Sequence, residues 1–289
     1  MPDITVKLPD GSAKLVPEGA TILGVAESIG AGLARAAIAG KIDGQQVDIN
    51  TTVPDGSAVE IITDKSPEAL HILRHSTAHV MAEAVKDLYP MVQFGIGPAI
   101  EDGFYYDFGV EKPFQPEDLV AIEERMRQII AEELPFKRTE IDRLEAFDEF
   151  EQQELKRELI SELPEGETIS IYRQGAFTDL CRGPHVPTTG RIGAFKLTKI
   201  AGAYWRGDND RPMLQRIYGT AWFSGKDLEA YLTRLEEAEK RDHRKLGKEL
   251  DLFSFHEVAG AGLPLYHPKG ARTLRLMQEW LRGVLYERG

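Results

Sequence analysis

The chain has 289 residues, 42% of them apolar, and a formal net charge of −12. That length suits two or three domains with real cores; no apolar run approaches the roughly 18 residues of a membrane span, and Met1-Pro2-Asp3 has neither the basic nor the apolar stretch of a signal peptide. A single cysteine excludes an intrachain disulfide framework and fits a reducing cytoplasm, and the acidity argues against a general coat for nucleic acid.

Residues 1–63 read as a small β-rich module. Ile4-Thr5-Val6-Lys7-Leu8 alternates apolar and polar, Pro9-Asp10-Gly11-Ser12 turns, and residues 13–16 return as a second strand. Thr21 is placed to cap a helix reaching Ile29, with Ile22, Leu23, Val25 and Ala26 on its apolar side. Residues 36–39, 46–49 and 58–62 supply further strands, the last entered through Pro54-Asp55-Gly56. Hairpin, helix, then short strands is the order of a β-grasp fold.

Residues 64–224 form the main domain. Ser66-Pro67 reads as an N-cap followed by proline at the first helical position. Leu70, Leu73, Thr77, Val80, Ala84 and Leu88 then recur at helical spacing. His75 and His79, spaced i, i+4, fall opposite that stripe, on the side of Ala82 and Lys86, facing a groove. The glycines and proline of residues 93–108 punctuate two short strands, the second strongly aromatic. Pro116-Glu117-Asp118 opens a helix, and further helices are expected over residues 143–150 and 155–160. Residues 169–172 make a strand that feeds a loop carrying Asp179, Cys181 and His185, and residues 195–197 and 214–218 read as later strands.

Cys181-Arg182-Gly183-Pro184-His185 repeats the i, i+4 spacing, but Gly183-Pro184 excludes a helix interior. A helix presenting two histidines and a loop presenting Cys and His resemble a four-ligand metal site, and equally a hydrolytic pocket. A zincin helix needs Glu directly after the first His, and Ser76 stands there, which argues against a metalloprotease. Between Arg173 and Arg216 eight basic residues (Arg173, Arg182, Arg191, Lys196, Lys199, Arg206, Arg211, Arg216) face three acids, a candidate phosphate-binding surface beside this loop. Residues 225–250 read as a solvated connecting helix with a capping-box start at Ser224 and Asp227. Residues 251–289 turn at Pro264–Arg272 into a helix over 274–286 and read as the opening of something larger.

With these motifs assembled, the sequence resembles the N-terminal half of the bacterial threonyl-tRNA synthetases. The resemblance is carried by His75-Ser76-Thr77-Ala78-His79, by Gly97-Pro98 with Gly103-Phe104-Tyr105-Tyr106-Asp107, by Asp179 through His185, by Ala201-Gly202-Ala203-Tyr204-Trp205-Arg206-Gly207, by Leu214 through Trp222, and by Arg234 through Lys245. It implies an α+β architecture: a small β-grasp (TGS) domain over 1–63, a larger α+β editing domain over 64–224, a linker helix over 225–250, and the truncated start of a class II catalytic domain over 251–289. It implies post-transfer editing, the hydrolysis of Ser-tRNA(Thr) in support of threonyl-tRNA aminoacylation, with the acceptor end of tRNA(Thr) and the serine moiety as partners and no membrane. Full-length members are homodimeric.

By the same resemblance, His75 engages the terminal ribose hydroxyl or its proton, and Cys181 and His185 complete the catalytic pocket. Lys156 positions water or charge, and Asp179 holds the seryl amine. His79, Tyr106 and Arg206 are substrate-binding. Editing is expected to require no cofactor; zinc is possible at His75, His79, Cys181 and His185, while the ATP and catalytic zinc of the full-length family are not expected to bind this chain. The chemistry has a physical motive: a pocket rejects an amino acid smaller by one methylene by only about 1–3 kcal/mol, so a second, hydrolytic sieve is needed. A noncatalytic tRNA-binding fragment and a zinc-binding structural module are the alternatives.

Overall fold

The computed structural model describes residues 2–256, 258, 260 and 262–289. The chain divides into two compact units, Met1–Leu228 and Glu229–Gly289.

Mixed helices and antiparallel strands make the first unit an α+β fold. It opens with the hairpin β1 (Asp3–Lys7) and β2 (Ala13–Pro17), then α1 (Ile22–Ile29), whose N-cap Thr21 accepts from the Gly24 N–H at 3.2 Å. A second short helix, α2 (Ala31–Ala36), occupies residues with no helical period strong enough to show in the sequence. The strands β3 (Ala37–Ile42), β4 (Gln45–Asp48) and β5 (Val59–Thr63) form a sheet in the order β4-β3-β5. Val6, Val16, Ile22, Val25, Ile49 and Val59 close this module's own core.

The larger body is built on α3 (Ala69–Leu88). The helix starts two residues later than Ser66-Pro67 suggests: Glu68 is its N-cap, and the Ser66 hydroxyl instead accepts from the Thr63 N–H at 3.0 Å. Its surroundings correct the expectation of one packed face, because every residue from Ser76 to Val85 is buried. The sheet of β12 (Ala194–Tyr204), β13 (Met213–Trp222), β8 (Gly103–Gly109) and β6 (Gln93–Phe94), with β7 (Ala99–Ile100) pairing β8, lies against α3. The period of two sends Phe104, Tyr106 and Phe108 inward together. Next to α3 packs α4 (Pro116–Ala131), which opens with a capping box between Gln115 and Asp118.

A second sheet, ordered β11-β10-β9, joins β9 (Lys137–Ile141), β10 (Ile169–Gln174) and β11 (Phe177–Leu180). It is backed by α5 (Arg143–Glu149) and α6 (Glu154–Glu162) through Ala146, Phe150, Ile160, Ile169 and Ile171. β9 escapes sequence reading because four of its five residues are exposed and mostly charged.

The expected linker helix is two helices. α7 (Gly225–Lys240) ends, and Asp242 caps α8 (His243–Glu249) by accepting from the Arg244 N–H at 2.7 Å. The second unit continues with the paired strands β14 (Phe253–Phe255) and β15 (Pro264–Tyr266) and with α9 (Pro268–Arg288), where proline takes the first helical position. No helix among the described residues is long and apolar enough to cross a membrane.

Candidate active site

α3 and the loop after β11 bring the two i, i+4 pairs together. The His75 ring stacks on that of His185 at 4.5 Å, and the His79 ring meets His185 edge-on at 4.2 Å. Cys181 Sγ lies 2.9 Å from His75 Nε2 and 3.3 Å from His185 Nε2, and accepts from the Gly183 N–H at 3.2 Å. These four side chains offer ligand atoms all within 4.8 Å of one another.

Local sequence shapes this loop. Gly183 sits at φ +71, and a Cβ there would overlap the Tyr172 hydroxyl. His185 is held on three sides: Phe136 stacks on it at 4.8 Å and 3°, His75 covers the other face, and Tyr172 meets its edge at 4.4 Å. Its backbone N–H donates to Asp48 Oδ1 at 2.9 Å, and the Tyr172 hydroxyl donates to Asp48 Oδ2 at 2.6 Å. A carboxylate from the N-terminal module thus ties down the histidine loop.

The polar end of the pocket is a buried triad. Lys156 Nζ pairs with Asp179 Oδ1 and donates to the Tyr106 hydroxyl at 3.0 Å, which in turn donates to Asp179 Oδ2 at 2.7 Å. Asp179 also accepts from the Leu180 N–H at 2.8 Å, and His79 Nε2 lies 3.6 Å away. α6 delivers Lys156 and β8 delivers Tyr106. Gly97 lies over the Tyr106 ring so closely that a Cβ would collide with it.

Burial dominates the electrostatics. It pushes His75 down to about 4 and His79 to about 3, against the charge of Asp179, and His185 well below its ordinary range. It raises the Cys181 thiol, and Asp179 adds to that rise. Burial alone would raise Asp179 too, but Lys156, His79 and the Tyr106 hydroxyl together outweigh it and hold the carboxyl below its ordinary range. At neutral pH the site is three neutral imidazoles, a thiol and one carboxylate–ammonium pair. A cavity of about 350 Å³ opens beside it, lined by His71, His75, His79, Gly97, Pro98, Lys156, Asp179 and Cys181.

Arg206 is not among these groups. It pairs with Glu162 Oε2 at 2.5 Å and Glu158 Oε1 at 3.4 Å, both on α6. Most of the basic stretch is likewise paired with acids outside it in sequence. Arg173 pairs with Glu149, Arg182 with Glu167, Lys196 with Glu123, Arg211 with Glu158, and Arg216 with Asp107. Arg191 donates to the carbonyls of Arg35 and Ala36. Lys199 lies over the Tyr218 ring at 4.5 Å.

Sequence reading missed Asp48, Ser76 and Tyr172. Ser76 stood inside a motif already singled out and signalled only what it was not. Asp48 and Tyr172 carry no local signature; their role exists only after folding.

Comparison with known proteins follows the same division. The TGS domain family matches residues 4–63, and the family described as "Threonyl and Alanyl tRNA synthetase second additional domain" matches residues 169–218. The threonine–tRNA ligase of Citrifermentans bemidjiense is 58% identical over 291 aligned residues, covering 100% of this chain and 46% of that protein. This chain is a homologue of the threonine–tRNA ligases. Those of Pelobacter propionicus and Methylococcus capsulatus are 55% and 53% identical, again over the whole chain and 46% and 45% of their own lengths. The chain therefore spans about half the length of the threonine–tRNA ligases it matches. The second family match contains the hairpin β10–β11 and the Asp179–His185 loop.

Zinc fits this donor set in kind, since one thiolate and three imidazoles are ordinary zinc ligands. Binding has a cost as well: the buried Cys181 thiol, raised by its surroundings, would have to lose its proton to solvent before the sulfur could ligate the ion.

Proposed function

We propose that the pocket hydrolyses the ester of serine mistakenly attached to tRNA(Thr), as the editing half of threonyl-tRNA synthesis. One observation carries this reading. His75, His79 and Cys181 converge with Lys156 and Asp179 on an open cavity, with His185 and Tyr106 buried directly behind them, in a chain homologous to threonine–tRNA ligases.

The substrate is an activated ester, so hydrolysis needs a placed water, a proton acceptor and charge stabilisation. His75 is half-buried at the cavity wall, and its low basicity keeps it an uncharged acceptor at neutral pH. Lys156 supplies a buried positive charge at the cavity wall, and Asp179 holds it in place. Because Asp179 is already satisfied by Lys156, Tyr106 and the Leu180 N–H, a seryl amine would share that carboxylate rather than own it. Arg206 has no place in this reading, being committed to α6.

The test is a time course of deacylation with Ser-tRNA(Thr) and Thr-tRNA(Thr). The wild-type chain should hydrolyse the seryl ester and spare the threonyl ester, and folded His75→Ala should lose about a hundredfold or more. Binding without hydrolysis would turn the chain into a tRNA-binding fragment, and equal hydrolysis of both esters would remove the sieve.

A further inference from the structure

We propose that Ser76 is a positioning residue that fixes the tautomer of His185, holding the ring proton on Nδ1 and leaving Nε2 as a bare lone pair aimed at Cys181.

The argument is a proton count around one oxygen. Ser76 is fully buried, and its Oγ makes three close polar contacts. It lies 2.8 Å from the Ile72 carbonyl oxygen, one turn back in α3; it accepts from the Val186 N–H at 3.0 Å; and it lies 3.1 Å from His185 Nδ1. A serine hydroxyl has one proton and two lone pairs. Two oxygens 2.8 Å apart need a proton between them, and the Ile72 carbonyl has none to give. The hydroxyl proton therefore points back along the helix, a recognised habit of buried serines. The Val186 N–H fills one lone pair. The remaining lone pair faces His185 Nδ1, and that contact is a hydrogen bond only if Nδ1 carries the ring proton.

The ring cannot escape this assignment by turning over. Phe136 and His75 clamp its two faces, and a flip would set carbon atoms against both Ser76 and Cys181 in place of Nδ1 and Nε2. The ring is buried and has no carboxylate partner for its nitrogens among the described residues, an enclosure that favours the neutral form, so a proton on Nδ1 means none on Nε2. The bare Nε2 lies 3.3 Å from Cys181 Sγ, facing a thiol whose single proton His75 Nε2 also approaches, at 2.9 Å. A second neighbour of the substrate pocket is thereby set as an acceptor before any ligand arrives, the kind of tautomer control exerted by partners one step behind a functional histidine. This residue stands where a metalloprotease would carry its general base, and its role is to orient rather than to react.

The tautomer assignment rests on geometry alone; its catalytic consequence rests on the editing function proposed above. The test uses the full chain labelled with ¹⁵N-histidine and long-range ¹H–¹⁵N correlation spectra at neutral pH, with His185→Asn identifying the His185 signals. The expected wild-type pattern is a neutral ring with Nδ1 protonated. Ser76→Ala should move the proton to Nε2, and Ser76→Thr, which keeps the hydroxyl, should restore the wild-type tautomer. In parallel, Ser76→Ala should slow Ser-tRNA(Thr) deacylation about 10- to 100-fold, as loss of such a partner typically does. A wild-type His185 protonated at Nε2 would overturn the proposal whether or not either variant folds. A wild-type tautomer that survives in folded Ser76→Ala would overturn it equally. Absence of deacylation by the wild type, with the Nδ1 tautomer present, would sink the editing function and leave the role of Ser76 standing.

Discussion

Replacing Lys156 with methionine isolates the most heavily buried ion pair in the pocket. Lys156 and Asp179 have side chains only 3% and 4% exposed, so water does little to screen either charge. Methionine keeps the length and apolar stem of lysine but strands the Asp179 carboxylate. Two neutral donors would remain to it, the Tyr106 hydroxyl and the Leu180 N–H. Breaking a buried pair from one side typically costs about 3–5 kcal/mol, against about 0–1 kcal/mol for an exposed pair. Asp179→Asn should cost a similar amount by stranding the ammonium. The double variant should lose much less than the two single losses combined, because no unpaired charge is left. Urea unfolding of the four proteins, followed by tryptophan fluorescence, measures all three differences. A loss below about 1 kcal/mol for Lys156→Met would mean that the pair is solvated; additive losses would mean that the two residues are not coupled. Either result refutes the description of the triad as a dry, mutually dependent unit.

Asp48→Ala should unfasten the histidine loop by orphaning the His185 N–H and the Tyr172 hydroxyl, costing about 1–3 kcal/mol and slowing deacylation although Asp48 does not line the cavity; urea midpoints and the deacylation time course check both. Burial raises Glu83 to about 7, with Asp87 and Glu132 adding and Gln174 opposing, so the folded protein should lose stability as pH rises from about 4.5 through 7. Glu83→Gln should flatten that slope and gain about 1–3 kcal/mol at pH 8, read from urea midpoints across the range. Arg206→Ala with Arg211→Ala should leave the salt dependence of tRNA binding unchanged, since both arginines are spent on Glu158 and Glu162; a shallower slope would assign them to phosphate. Protein purified without chelator should hold well under one zinc per chain, and stoichiometric zinc whose removal abolishes deacylation would reverse that expectation.

The sequence discloses what repeats along one element and conceals what is made by two. Helical and strand periods located α1, α4, α5 and α6 and the β1–β2 hairpin closely, and the i, i+4 pairs pointed to His75, His79, Cys181 and His185. Pattern failed where an element is wrapped on all sides: α3 shows a stripe in sequence, yet its opposite face is buried beneath the hairpin and the histidine loop. It failed again for charge, because a window from Arg173 to Arg216 cannot count Glu123, Glu149, Glu158 or Asp107, which lie outside it in sequence and beside it in space. Asp48 was out of reach for the same reason, its two hydrogen bonds spanning 124 and 137 residues.

The hairpin β10–β11 turns through only Gly175 and Ala176, and its pairing sets Tyr172 opposite Asp179 and Gln174 opposite Phe177. All four side chains are buried: Tyr172 meets Asp48, Gln174 meets Glu83, and Asp179 meets Lys156. Alternate residues Ile169 and Ile171 serve the other core. The turn is therefore the address line of the site. One residue added to or removed from it would shift the frame of β11 by a single step, presenting Thr178 and Leu180 to the histidines and sending Asp179 toward the isoleucines. The pocket's geometry is therefore encoded partly in the length of a two-residue bend that does not line the cavity.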